Sequence, residues 1–158
     1  MSAGEAATEG RMSVAEREAF VSGNVLSRVS CHDADGWPYG FPCWHEYRDG
    51  GFYLVPRGKA KWATFIQKDP RVALCIDTLD GPRRVTVKGR AEIVEEPNVG
   101  GKWVEIAESM ATRYLGPDGP TYLKPTLHEP RWLIFVEPLE WLTWQGNAWP
   151  ESQKTKAW

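Results

Sequence analysis

The chain has 158 residues, the length of one ordinary domain, and such a chain can bury a hydrophobic core without disulfide staples. Its 42% hydrophobic and 25% charged residues exclude a wholly disordered chain, a collagen and a coiled coil. Lys and Arg total 19 against 21 Asp and Glu, a formal net charge of −2, so there is no basic excess of the kind that marks a nucleic-acid-binding chain. Nine Trp, 12 Pro and 15 Gly promise many turns and several flat aromatic faces.

Residues 1–12 read as a loose tail, 13–150 as one domain and 151–158 as a second tail. Met1 to Arg11 lack the basic and apolar regions of a secretory signal, and no apolar run approaches the roughly 20 residues that span a bilayer. The expectation is therefore a cytoplasmic protein with no membrane partner. Cys31, Cys43 and Cys75 cannot all pair and form no CxxC motif, so they read as reduced thiols. With His32, His45 and His128 they show no standard metal spacing, and no metal is expected.

Ser13-Val-Ala-Glu16 has the form of a capping box and predicts a helix to about Val21, stopped near Gly23-Asn24. Val25–Cys31 alternates as a strand, and His32–Gly36 is a turn. Pro38–Tyr47 reads as a second strand interrupted by Pro42, which belongs at an edge, a bulge or a ligand-facing position. Arg48–Gly51 closes a hairpin into a strand beginning at Phe52. Lys59–Lys68 is a short helix ended by Asp69-Pro70. Arg71–Asp77 and Arg83–Val94 alternate strongly, Val99–Leu115 has helical spacing, and Gly116–Pro120 is a breaker. Pro130–Glu137 and Leu139–Trp144 are the last two strands. Strands adjoin in hairpins instead of alternating with helices, which predicts a small antiparallel barrel of six or seven strands with appended helices.

No nucleophile elbow, P-loop or dinucleotide fingerprint occurs. Three segments stand out. Arg57, Lys59 and Lys61 follow a strand and enter a short helix, where cations and helix N–H groups can meet a phosphate; the same cluster also reads as an exposed basic edge. Phe41-Pro42-Cys43-Trp44 offers an apolar face to a flat ring, or simply a core Trp. Trp141, Trp144 and Trp149 suit a ring-stacking site, an interface or a packed strand.

The order of these segments is the informative part. Asp35-Gly36-x-Pro38, Pro42-x-Trp44, Lys59-x-Lys61-Trp62, Asp69-Pro-Arg-Val-Ala-Leu74, Val85-x-Val87-x-Gly89-Arg-Ala-Glu92 and Trp144-Gln-Gly146 follow one another. Over residues 20–147 the chain resembles the pyridoxamine 5′-phosphate oxidase-like split β-barrel family, which includes flavin and deazaflavin oxidoreductases. The resemblance implies a mainly β fold, a six-stranded antiparallel Greek-key split barrel with helices outside. It implies a homodimer with cofactor sites at the subunit interface, and FMN as cofactor, with F420 the alternative. It places the cofactor phosphate against Arg57, Lys59 and Lys61, the ring along Pro42, Cys43 and Trp44, Arg84 near the cofactor's polar edge or tail, and Trp144 and Trp149 in the site from the second subunit. Vitamin B6 oxidases carry Arg and Lys where this chain has Phe41 and Glu46. Their Ser-Arg-Lys triplet is replaced by Ala60-Lys61-Trp62, and their C-terminal Arg-Leu-His-Asp-Arg run by Trp149–Lys154. The implied activity is therefore an FMN-dependent oxidoreductase acting on a small conjugated or aromatic substrate, not on vitamin B6. An F420-dependent reductase or a non-catalytic flavin or haem carrier is the alternative. Because the cofactor carries the chemistry, no protein residue is assigned as catalytic.

Overall fold

The computed structural model describes residues 10–147. The elements in chain order are α1 (Val14–Val21), β1 (Ser27–His32), β2 (Pro38–Cys43), β3 (Glu46–Arg48), β4 (Gly51–Leu54), α2 (Lys61–Lys68), β5 (Arg71–Thr78), β6 (Arg83–Asn98), α3 (Trp103–Leu115), α4 (Gly119–Leu123) and β7 (Arg131–Gln145). All strand pairs are antiparallel, in the order β2-β1-β5-β6-β7-β4-β3.

That order, taken with the sequence, requires a barrel. The two edge strands, β2 and β3, are joined only by Trp44 and His45. Three Cα steps span at most about 11 Å. A flat seven-stranded sheet would hold its edges about 29 Å apart. The sheet must therefore roll until its edges meet, and β2 with β3 forms one span of a six-span barrel. The non-sequential neighbours β1–β5 and β7–β4 make it a Greek key and not a meander.

The interruption at Trp44-His45 divides the expected second strand into β2 and β3, so the six-stranded barrel that the resemblance implies is built from seven strands. The segment leaves one edge and joins the other, and α3 holds it in transit. Arg113 donates to the His45 carbonyl and to Glu46 Oε2 (2.6 Å), and Ser109 Oγ donates to Glu46 Oε1 (2.9 Å). The Tyr114 hydroxyl accepts from His45 N–H (3.3 Å) and donates to the Val25 carbonyl (2.7 Å).

Two further expectations are corrected. The last two predicted strands are one, because Pro138 lies beyond the short β4 ladder and faces Gly89 where the β6–β7 register shifts. A Cβ on Gly89 would stand 2.5 Å from Val136 Cγ1, so the bulge needs glycine there. The Gly116–Pro120 breaker also contains the start of α4. Ser13 and Glu16 do form the reciprocal capping box, with Glu16 N–H on Ser13 Oγ (3.1 Å) and Ser13 N–H on Glu16 Oε2 (2.7 Å). Within the stretch read as a tail, Gly10 pairs with Gln145 through both backbone groups, and Met12 N–H donates to Thr143 Oγ1 (3.1 Å).

Two cores result. Alternate residues of β1, β5 and β6 point inward, so Val29, Leu74, Ile76, Val85 and Val87 fill the barrel with Phe52, Leu54, Ile134 and Val136. A smaller core packs Trp103, Ile106, Ala107, Met110 and Ala111 of α3 with Leu123 and Leu133 against the outer wall. No helix among the described residues is long and apolar enough to cross a membrane.

Candidate functional site

A cavity of about 640 Å³ opens between the barrel wall and the α3 core. Its lining comes from four places in the chain. Pro42, Cys43 and Trp44 form one wall; Val55 to Arg57, with Lys59, Ala60 and Trp62, form the next; Ala107, Met110, Tyr122 and Leu123 come from α3 and α4; Arg131 begins β7. Charge is unevenly spread over this lining. Its charged residues are all cations, Arg57, Lys59 and Arg131, and the rest is mostly apolar or aromatic.

Each wall has a local cause. β2 stays in register with β1 through Pro42 and Cys43, and the chain then turns out through Trp44 towards α3. Trp44 is fixed by stacking on Tyr114, with centroids 4.8 Å apart and planes 15° from parallel; Tyr122 lies at 6.0 Å on a tilt. The Cys43 thiol donates to the Trp44 carbonyl (3.1 Å), and burial pushes its pKa up to about 12. It is therefore a neutral, compact wall residue at physiological pH and not a nucleophile.

The loop carrying the cations is pinned to β7. Trp132 N–H donates to the Pro56 carbonyl (3.0 Å), Gly58 N–H donates to the Pro130 carbonyl (2.8 Å), and Trp132 Nε1 donates to the Gly58 carbonyl (3.2 Å). A Cβ on Gly58 would sit 2.9 Å from the Pro130 carbonyl oxygen, so only glycine lets the loop lie this close. This contact makes Arg57 and Arg131 partners in an isolated antiparallel bridge. Two arginines, far apart in sequence, thereby become neighbours in the cavity lining. Arg57 is exposed and reaches Glu129 at 3.9 Å. Burial, and then the charge of Arg57, pull the Arg131 pKa below its ordinary value.

Pro42, Cys43, Trp44, Arg57 and Lys59 are thus brought together. Lys61 is exposed on the first residue of α2 and does not line the cavity. Arg84 and Trp144 face each other across β6 and β7 and line a separate 180 Å³ hollow with Asp77, Pro82 and Gly146. Trp149 lies outside the described residues. Sequence reasoning missed Arg131 and the α3–α4 wall. Met110 and Ala107 have the spacing of ordinary helix core, and no local signal ties Arg131 to Arg57. Among the described residues no group of three or more His, Cys, Asp or Glu is arranged to hold a metal.

The residues fit a ligand with a flat apolar part and an anionic end, and one donor of Arg131, Nε, is buried without a partner. The sequence model described as pyridoxamine 5′-phosphate oxidase matches residues 13–145. Among solved structures, a conserved hypothetical protein from Mycobacterium tuberculosis is 25% identical, with a TM-score of 0.72 over 94% of this chain and 99% of that one. An F420 reductase is 22% identical (TM-score 0.64, 79% of this chain and 94% of that one). HutZ, the haem storage protein from Vibrio cholerae, is 18% identical (TM-score 0.63, 84% of this chain and 96% of that one). No curated protein matches.

Proposed function

The chain belongs to the pyridoxamine 5′-phosphate oxidase family, and from that premise we propose that it is a cytoplasmic oxidoreductase using a bound flavin-type cofactor, FMN in the first instance. The observation that carries this reading is the make-up of the cavity lining, which joins Arg57, Lys59 and Arg131 to the apolar Pro42–Cys43–Trp44 segment. Arg57 and Lys59 would hold the phosphate, and Pro42, Cys43 and Trp44 the ring. When bound, the cofactor supplies hydride transfer. The chain's own residues bind, orient and exclude water. Trp44 is locked by Tyr114, Cys43 stays protonated, and Met110 and Leu123 close the apolar side. The substrate in this reading is a small conjugated or aromatic molecule. Vitamin B6 phosphate is disfavoured, because Glu46, which stands where the B6 oxidases carry a cation, is engaged by Arg113 and Ser109.

F420 is the second reading, supported by the similarity to an F420 reductase. Haem carriage has less support, since His45 uses both ring nitrogens on Ser27 and Val21, and neither His32 nor His128 lines the cavity. We also propose a homodimer: all six residues of β2 are exposed or only half-buried, and a barrel strand with no buried position calls for a covering surface.

The test is titration of the purified protein with FMN and with F420, followed by absorbance and fluorescence, together with Lys59→Ala and Lys61→Ala. Lys59→Ala should weaken binding about 10-fold or more, the effect of losing a charge-assisted contact, and Lys61→Ala much less. Failure of both cofactors to bind, or equal losses in the two variants, overturns the assignment. A monomer in light scattering at micromolar concentration overturns the dimer.

A further inference from the structure

Among the half-buried arginines, Arg113 and Arg131 are treated differently. Arg113 has its charge answered within the chain. Nη1 donates to Glu46 Oε2 at 2.6 Å and Nη2 to the His45 carbonyl, so it is a strut between α3 and the β2–β3 crossing. Arg131 has no such direct partner; the charge of Glu129, which lies 3.9 Å from Arg57, acts on it only from farther away. A guanidinium carries five N–H donors and stays protonated in proteins. Among the described residues Arg131 makes one hydrogen bond, from Nη2 to Thr126 Oγ1 (2.9 Å). Its Cζ lies 5.5 Å from the centre of the Trp103 ring, its Nε is enclosed without a partner, as is that of Arg113, and among the described residues no carboxylate lies within ion-pair distance of it. Its backbone neighbour across the bridge is another arginine, Arg57. A partly desolvated cation beside a second cation is unfavourable, and the exposed carboxylate of Glu129 beside Arg57 offsets only part of that. Thr126 and Trp103 hold the group still in the cavity wall, as a binding group needs to be held.

We propose that Arg131 is an anion-binding residue of the cavity, receiving with Arg57 and Lys59 the phosphate group of a phosphate-bearing ligand. The FMN arm of the test rests on the function proposed above; the phosphate arm does not.

Riboflavin and FMN differ only in the phosphate, so the ratio of their dissociation constants isolates its contribution. In the full-length protein, Arg131→Gln should reduce the preference for FMN over riboflavin at least about 10-fold, with riboflavin affinity unchanged within about twofold. Arg131→Lys should recover part of the preference. Arg28→Gln, an exposed residue paired with Asp77, should leave it unchanged. If Arg131→Gln does not fold, Arg131→Met keeps the aliphatic stem over Trp103 and serves instead. An unchanged ratio, or equal loss of both flavins together with a fall in Tm, makes Arg131 a structural residue and overturns the proposal. In parallel, Tm is measured in inorganic phosphate and in pyrophosphate against chloride at matched ionic strength. A rise in the parent protein that vanishes in Arg131→Gln supports the site even if neither flavin binds. No rise in the parent, with no flavin binding, overturns it. Flavin binding with no phosphate dependence in the parent overturns it as well.

Discussion

The inside of the barrel and the space beneath α3 are built from the same kinds of residue to opposite ends. Inside the barrel the apolar side chains meet one another, and the one buried histidine among the described residues has both ring nitrogens satisfied. His45 Nε2–H donates to the Val21 carbonyl (2.7 Å) and Nδ1 accepts from Ser27 Oγ (2.6 Å). Beneath α3 the packing stops short. Met110, Leu123, Trp44 and Tyr122 line a cavity, and Arg131 Nε has no acceptor. A protein interior packs to high density wherever its own side chains can fill it. A cavity whose wall combines an unmatched donor with flat apolar surface is a place that the chain's own side chains leave unfilled.

The contrast predicts which substitutions affect stability and which affect binding. The largest effect on stability should come from Phe52→Ala. Phe52 is fully buried against His45, Tyr47 and Trp141, and its loss should cost about 3–5 kcal/mol in a urea titration. Met110→Ala, on the cavity side, should fall at or below about 2 kcal/mol, because one side of Met110 already lacks neighbours. Equal costs would break the comparison.

Acid should act on the barrel side next. Burial holds the folded-state pKa of His45 at about 4, against an ordinary 6.5. Between these values the unfolded chain binds a proton that the folded chain does not, so stability rises with pH and is lost as pH falls from about 6.5 towards 4. The full difference is about 3 kcal/mol. Urea midpoints measured at pH 7 and pH 4.5 should show most of it, and His45→Gln, although less stable at pH 7, should flatten this part of the profile.

Two smaller effects sharpen the cavity side. Gly58→Ala pushes a methyl against the Pro130 carbonyl, so the Arg57–Lys59 loop must shift. FMN binding should weaken by about 3- to 10-fold, with stability lowered by about 1 kcal/mol or less. Tyr114→Phe removes a hydroxyl bonded to Val25 and His45 but keeps the stack on Trp44. It should cost about 0.5–1.5 kcal/mol in stability and leave FMN affinity within about twofold. Tyr114→Leu removes the stack as well, and should additionally weaken FMN binding. Identical affinities for the two variants would show that the Trp44 wall does not depend on Tyr114.

Local chemistry explains what could be read before the fold was known. The alternation in β5 and β6 and the Ser13–Glu16 capping box are each encoded within a few residues. So are the two site segments around Trp44 and Arg57. The strand through Pro138 was not legible, because what tolerates a proline there is Gly89 on another strand. Arg131 was not legible either. Its relation to Arg57 exists only through the bridge between a loop and β7. Lys61 illustrates the converse error, since nearness in sequence to Lys59 is undone by the first turn of α2, which leaves it in solvent.

The ladder between β4 and β7 has only three residue pairs, Phe52–Val136, Tyr53–Phe135 and Leu54–Ile134. Its two sides lie more than half the chain apart, whereas β1–β2, β3–β4 and β5–β6 are neighbours in sequence. Loop-closure entropy makes so distant a pairing late to form, and three pairs give it little to recover that entropy with. The hairpins should assemble early and this seam should close last. Native-state hydrogen exchange should find the amides of β4 opening at lower free energy than those at the centre of β5 and β6. Val55 to Arg57 continue directly from β4, so a ligand held between that loop and Arg131 would clasp the barrel at its slowest joint. Ligand binding would then appear as a slower unfolding rate as well as a higher melting temperature.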